Sequence, residues 1–256
     1  MSETPQLKPN ERIDHLDSQG IQIIQSSEVF AFSLDAVLLA DFVRPNHRHR
    51  LQTIDLCAGN GAIALFLHQK IGGQVTAVEL QARLADMARR SVFLNHLEDR
   101  YHVLQADVKD VYDYLPKDSA DIVTCNPPYF KSLPHSQKNP NRYLALARHE
   151  LTITLSEVVD RMAGLLKMNG KGYLVHRPER LPEILQELVN HRLQPKRLRF
   201  IYPKPGKASN MVLIESIKDG KPGGTIVDPP LIVGDDKGNY TPTIQMLLHG
   251  VNNGRQ

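Results

Sequence analysis

From residue 51 onward the chain alternates short runs of buried-strand character with amphipathic helical runs, and no other feature constrains its fold as tightly. Thr53–Leu56, Gln74–Val78, Tyr101–Gln105 and Asp121–Cys125 read as four strands. Ala62–Lys70 and Gln81–Leu94 read as the helices behind the first two. Ser156–Met168 carries Val158, Val159, Met162, Leu165 and Leu166 as one helical stripe, closed by Asn169-Gly170. A fifth strand, Gly172–His176, and a helix, Pro182–His191, follow. Leu198–Tyr202 and Met211–Ile217 have no helix-length segment between them, so they pair as an antiparallel hairpin. The expected fold is α/β: a doubly wound, seven-stranded, mostly parallel Rossmann-like sheet with a C-terminal antiparallel hairpin.

The flanks read as additions to one domain. Residues 1–50 form an N-terminal extension, 51–217 the core and 218–256 an appended C-terminal element. In the extension, residues 1–20 look loose, and Ile21–Gln25 with Val29–Phe32 is expected to form a short hairpin. Ser33 then caps a helix with Leu34, Val37, Leu38 and Phe42 on one face, ended by Arg44-Pro45-Asn46.

In a doubly wound sheet, ligands bind beyond the carboxyl ends of the strands. Asp55-Leu56-Cys57-Ala58-Gly59-Asn60-Gly61-Ala62 ends the first strand. Gly59 and Gly61 let the backbone approach a ligand closely, and the helix behind them turns free amides towards it. Glu79 ends the second strand and Asp107 the third. Gly59 to Ala64 read alone also satisfies a dinucleotide-binding fingerprint, in which Glu79 would serve the ribose equally well. Asp55 and Asp107 also suit simple capping of the turns that follow them. The combination of Asp55, Gly59, Gly61, Glu79 and Asp107 resembles the class I methyltransferases. That resemblance implies S-adenosyl-L-methionine, with Asp55 near its amino acid end, Glu79 on the ribose and Asp107 near the adenine.

Strand four runs into Asn126-Pro127-Pro128-Tyr129, followed by Phe130. The prolines remove two backbone donors and leave carbonyl acceptors, and Asn126 adds a side-chain acceptor. Two acceptors suit the two hydrogens of a planar –NH2, while Tyr129 and Phe130 suit stacking on the flat group that carries it. Such an amine has a delocalised lone pair, and drawing its hydrogens out of plane favours the tetrahedral nitrogen of the transition state. Asn-Pro-Pro-Tyr at this position is a signature of amino and amide methyltransferases, which makes Asn126, Pro127 and Tyr129 the candidate catalytic residues and places Asn126 against the cofactor as well.

Charge narrows the partner. The net charge is only +3, but acids are absent between Asp121 and Glu150 and between Glu187 and Glu215. The first stretch holds Lys131, Lys138, Arg142 and Arg148, and the second holds Arg192, Lys196, Arg197, Arg199, Lys204 and Lys207. Arg44, Arg48 and Arg50 form a third group. Three such runs suit a phosphate-binding surface or ordinary solvated faces. Cys57 and Cys125 are far apart in sequence and the eleven histidines are scattered, so no metal site is expected. No apolar run approaches the roughly 20 residues of a membrane span, and the polar N-terminus lacks a signal peptide core, so a cytoplasmic location is expected.

Phe30-Ala31-Phe32-Ser33-Leu34-Asp35-Ala36-Val37-Leu38-Leu39-Ala40, Arg148-His149-Glu150, Pro203-Lys204-Pro205-Gly206-Lys207 and Asp235-Asp236-Lys237-Gly238-Asn239-Tyr240-Thr241 resemble the bacterial tRNA1(Val) (adenine-37-N6)-methyltransferase family. The likeness runs from about Glu11 to His249. It implies methylation of adenine N6 in RNA, tRNA above all. It also implies that Phe32, Ser33 and Asp35 close over the methionine end of the cofactor, unless that segment merely covers a sheet edge. Pro128, Tyr129, Phe130, Lys204 and Lys207 would then meet the RNA. Protein glutamine N5-methyltransferases share the catalytic motif but usually carry a sizeable helical domain ahead of the cofactor turn, where this chain has about fifty residues. A binding module without turnover is the other reading. The oligomeric state is not legible, with a monomer expected.

Overall fold

Alternation of inward-facing residues along each strand builds a sheet with a core on both of its faces. The computed structural model describes residues 5–16, 18, 20–29, 34–129 and 153–250. Its strands are β1 (Glu11–Leu16), β2 (Ile21–Ser26), β3 (Gln52–Leu56), β4 (Gln74–Glu79), β5 (Tyr101–Gln105), β6 (Ala120–Cys125), β7 (Leu166–His176), β8 (Leu193–Tyr202), β9 (Met211–Lys218), β10 (Ile226–Val227) and β11 (Leu231–Ile232). Its α-helices are α1 (Leu34–Phe42), α2 (Ala62–Phe66), α3 (Ala82–Leu94), α4 (Leu155–Leu165), α5 (Leu181–Asn190) and α6 (Pro242–His249).

The sheet order is β5-β4-β3-β6-β7-β9-β8-β10. Strands β3 to β7 run parallel, and β9 is inserted antiparallel between β7 and β8. An all-parallel dinucleotide fold has no such inserted strand, so the topology removes the ambiguity of the glycine turn. The seven expected strands are present, and β10 and β11 add two short parallel partners to β8 that the sequence pattern does not announce. On one face α1, α2 and α6 bury Leu38, Leu65 and Ile244 against Val75, Tyr173 and Leu213. On the other, α4 and α5 bury Val159, Met162 and Leu188 against Ile54, Leu56 and Leu174. Burial of one such leucine or isoleucine contributes on the order of 2 kcal/mol.

Several boundaries differ from the sequence expectation. Strand β2 pairs with β1, residues 11–16, a partner the sequence pattern does not announce, and Phe30–Phe32 of the expected partner lies outside the described residues. The hairpin is held from below: both Arg90 side-chain amino groups reach the Glu11 carboxylate at 2.7 Å, and Asn95 accepts from Gln22 N at 2.9 Å and donates back to Gln22 O at 2.6 Å. Asn95 is thus both the end of α3 and a substitute strand edge for β2. Helix α2 ends at Phe66 instead of Lys70, because the chain tightens into i→i+3 turns at His68 and Lys70 while Lys70 Nζ binds the Ala40 carbonyl. Helix α4 stops at Leu165, and Asn169-Gly170 is a bulge rather than a helix end. Leu166 already pairs with Ala120, whereas Lys171 pairs with Ile122, and Asn169 takes a φ of 64° to absorb the surplus. Strand β8 starts at Leu193, five residues before the apolar run at Leu198.

Candidate active site

The carboxyl ends of β3, β4, β5 and β6 converge on one edge of the sheet. Leu56 pairs with Val78 on one side and with Cys125 on the other, so the glycine turn begins beside both Glu79 and Asn126. Cys57, Gly59 and Gly61 all adopt positive φ, at 55°, 59° and 84°. A Cβ on Gly61 would press on Ala88 Cβ at 3.2 Å, which accounts for the glycine as a packing requirement. A Cβ on Gly59 would meet no protein atom within 4 Å, so the backbone there faces open space.

Glu79 is buried and braces that turn. One carboxylate oxygen accepts from Gly59 N at 2.8 Å and the other from Gln81 N at 2.7 Å. Burial pushes its carboxyl upward and the backbone amides counter it. Asp55 lies fully buried beneath the turn, accepting from Thr124 Oγ1 at 2.6 Å with the Ala64 backbone amide also turned to the carboxyl, while its second oxygen makes no well-formed hydrogen bond. Burial pushes the Asp55 carboxyl up to about 7. Asp107 does cap the 3-10 turn that starts at Val108, accepting from Lys109 N at 2.9 Å. An orphaned buried oxygen, an open backbone cradle at Gly59 and a carboxylate held at the end of the second strand together fit a ligand with an amino acid part and a sugar diol.

The Asn-Pro-Pro-Tyr motif stands directly beside this cradle. Pro127 and Pro128 are buried, and Asn126 and Tyr129 keep part of their surface accessible. The Tyr129 hydroxyl lies 2.6 Å from Asp35 Oδ2 and 2.5 Å from Asn126 Oδ1. Burial and the Asp35 carboxylate drive the Tyr129 phenol well above its usual range, so it is a neutral donor. Arg180 donates to the Tyr129 carbonyl at 3.3 Å. The buried His176 ring packs on the Tyr129 ring at 5.1 Å between centroids. His176 Nδ1 accepts from Arg177 N at 2.7 Å, and burial, then the Arg180 charge, lower this imidazole to about 4.

Asp35 is therefore in contact with Tyr129 of the Asn-Pro-Pro-Tyr motif, and Phe32, Ser33 and Phe130 lie outside the described residues. Sequence reasoning missed three supports. Asn60, buried inside the glycine turn, donates to Ile24 O at 3.0 Å and ties the turn to the hairpin. Its position between two glycines was the available signal. His176 and Arg180 had none, because they reach Tyr129 from a strand end and a turn some fifty residues away.

The basic groups separate. Strand β8 is parallel to β7, so the loop after Tyr202, with half-buried Lys204 and exposed Lys207, opens at the sheet edge that carries the Asn-Pro-Pro-Tyr motif. Arg197 is instead interior, at 2.8 Å from Glu215 and 3.8 Å over the Phe42 ring, and Lys196 binds the Lys221 and Gly223 carbonyls. Arg48 and Arg50 precede β3 and lie at the opposite edge, and residues 131–148 are outside the described set. Among the described residues no group of three His, Cys, Asp or Glu could hold a metal ion, and no helix is long and apolar enough to cross a membrane.

Comparison with known proteins agrees with this arrangement. A Porphyromonas gingivalis tRNA1(Val) (adenine(37)-N6)-methyltransferase is 28% identical over 197 residues, 74% of each chain. The Shewanella woodyi protein of the same name is 25% identical over 92% of this chain and 95% of its own. Among solved structures, a predicted O-methyltransferase from Agrobacterium tumefaciens superposes with a TM-score of 0.66 at 25% identity, covering 84% of this chain and 96% of that one. The geranyl diphosphate C-methyltransferase of Streptomyces coelicolor shares the fold at a TM-score of 0.54 and 14% identity, over 72% and 80% of the two chains. The family model described as methyltransferase small domain matches residues 21–191, which span the hairpin strand β2, the glycine turn and the Asn-Pro-Pro-Tyr motif, and the chain belongs to that family.

Proposed function

We propose that this chain is an S-adenosylmethionine-dependent methyltransferase that methylates N6 of an adenine in RNA, with tRNA as its substrate. The observation that carries the proposal is the placement of Asn126-Pro127-Pro128-Tyr129 beside the cradle of Gly59, Glu79 and the orphaned Asp55 oxygen. S-adenosylmethionine supplies an electrophilic methyl group on sulfur. Glu79 would hold its ribose, Asp55 would serve its amino acid end and Asp107 would serve its adenine. Asn126 Oδ1 and the Pro127 carbonyl accept the two hydrogens of the target amine and favour a pyramidal nitrogen. Tyr129 and Phe130 hold the base plane, and the proton leaves once the nitrogen carries positive charge. An adenine inside a duplex is inaccessible, so a loop or a flipped base is required.

The names of the Porphyromonas and Shewanella relatives support the tRNA substrate, as does the loop of Lys204 and Lys207 at the catalytic edge. The test incubates the protein with methyl-labelled cofactor and bulk tRNA, ribosomal RNA or a release-factor mixture, then digests and identifies the product. N6-methyladenosine in tRNA is the expected outcome. Label in protein glutamine would overturn the substrate, and cofactor binding without any transfer would overturn the activity.

A further inference from the structure

A tyrosine hydroxyl has one proton, yet Tyr129 Oη lies within hydrogen-bond distance of two oxygens, Asp35 Oδ2 at 2.6 Å and Asn126 Oδ1 at 2.5 Å. Both cannot accept it. Asp35 is the stronger acceptor: it is 5% exposed in the first turn of α1, and its other oxygen takes the Ala36 amide at 3.0 Å. A phenol that donates to Asp35 presents only lone pairs to Asn126. The two ends of a carboxamide have nearly the same shape, so the network decides which end faces the phenol. Turned by half a rotation, Asn126 donates Nδ2–H to Tyr129 and leaves Oδ1 pointing where no described residue partners it.

We propose that Asp35 is a positioning residue: by taking the Tyr129 proton it turns the Asn126 amide so that its carbonyl oxygen faces the substrate amine. This rests on the reading of Asn126 as an amine acceptor given above. It also gives the N-terminal extension a part in the chemistry, since α1 then delivers the group that sets the polarity of the catalytic motif. Without Asp35 the phenol proton falls to Asn126 Oδ1, and the amide presents a donor to a group that needs an acceptor.

The test compares Asp35→Asn, Tyr129→Phe and the double variant at saturating RNA, with cofactor affinity measured separately by calorimetry. Asp35→Asn is expected to lower kcat about 100-fold, the scale of a misoriented catalytic group, with cofactor affinity within about twofold of the parent. The double variant is expected to be no slower than the slower single one, because both changes break the same chain. Losses that multiply, or an Asp35→Asn variant whose only defect is weak cofactor binding, would overturn the proposal. A readout free of turnover comes from the side-chain amide protons of Asn126, assigned by their loss in Asn126→Ala. One of them is expected to exchange slowly in the parent and quickly in Tyr129→Phe. Equal fast exchange in both proteins sinks the proposed orientation even if the substrate assignment stands, and slow exchange without methyl transfer to RNA sinks only the assignment.

Discussion

The side-chain amide of Asn60 reaches the backbone carbonyl of Ile24 at 3.0 Å, so the glycine turn proposed to cradle the cofactor is fastened to the N-terminal hairpin. The hairpin is in turn fastened to α3 through Ser91, whose hydroxyl accepts from Ile24 N at 2.9 Å. Asn60→Ala removes a buried donor and leaves a buried carbonyl unpaired, a cost of about 1–3 kcal/mol. Part of this falls on the cradle, so cofactor affinity is expected to drop roughly tenfold. Calorimetric titration with S-adenosylhomocysteine checks it, and unchanged affinity would mean that the hairpin is only a cover.

Gly59 and Gly61 have similar backbones but different surroundings, and their alanine variants should separate. Both pay about 1–2 kcal/mol for a side chain at positive φ. At Gly61 the added methyl also presses on Ala88, so thermal stability suffers most there. At Gly59 the methyl enters open space within the cradle, so stability falls by that backbone cost alone while cofactor binding is lost. A Gly59→Ala variant that binds the cofactor normally would move the ligand away from this turn.

Most of the central sheet was legible because buried parallel strands and their helices carry strong periodicity, and Asp55, Glu79 and Asn126 mark the strand ends by residue type alone. The β1 partner of β2 escapes the sequence pattern because Glu11–Leu16 is a polar strand whose Arg12 and Asp14 pair with each other, leaving little apolar signal. Arg197 belongs to a basic run that suits a phosphate-binding or a solvated face, yet it is interior, and its partners Glu215 and Asp228 arrive from β9 and the chain beyond it. Contacts of that kind are long-range, and no local pattern encodes them. The same holds for Asp35, which is 94 residues from Tyr129.

Asp55 predicts a pH dependence of stability. Its folded-state carboxyl is raised to about 7 by burial from an ordinary value of 3.8, so the folded protein holds a proton that the unfolded chain has lost. Stability must therefore fall as pH rises from about 4 to about 7 and level off above. Three pKa units set an upper limit of about 4 kcal/mol. Asp55→Asn cannot ionise, so its melting temperature should gain on the parent by several degrees between pH 5 and pH 8. Glu79, raised in the same direction, faces Asp55 closely enough to raise it further, so the difference between the two proteins reports Asp55 together with its repulsion by Glu79. Parallel melting curves across that range would show that Asp55 is ionised throughout in the folded state.

Electrostatics at the two sheet edges gives a test of how RNA approaches. Lys204 and Lys207 lie in the loop that follows β8, at the edge that carries Asn126, whereas Arg192 precedes β8 at the far edge and pairs with Asp219 at 2.7 Å. Each lysine that neutralises a phosphate releases counterions, so losing two should flatten the slope of log affinity against log salt by about 1.5 for single-stranded RNA. The Lys204→Ala/Lys207→Ala variant is expected to show that change, with cofactor affinity intact because neither lysine touches the cradle. Arg192→Ala serves as the control and should leave the slope where it was. If the control flattens the slope and the lysine variant does not, RNA crosses the far edge of the sheet, and its target base could not reach Asn126 from there without a second contact surface along the side of the domain.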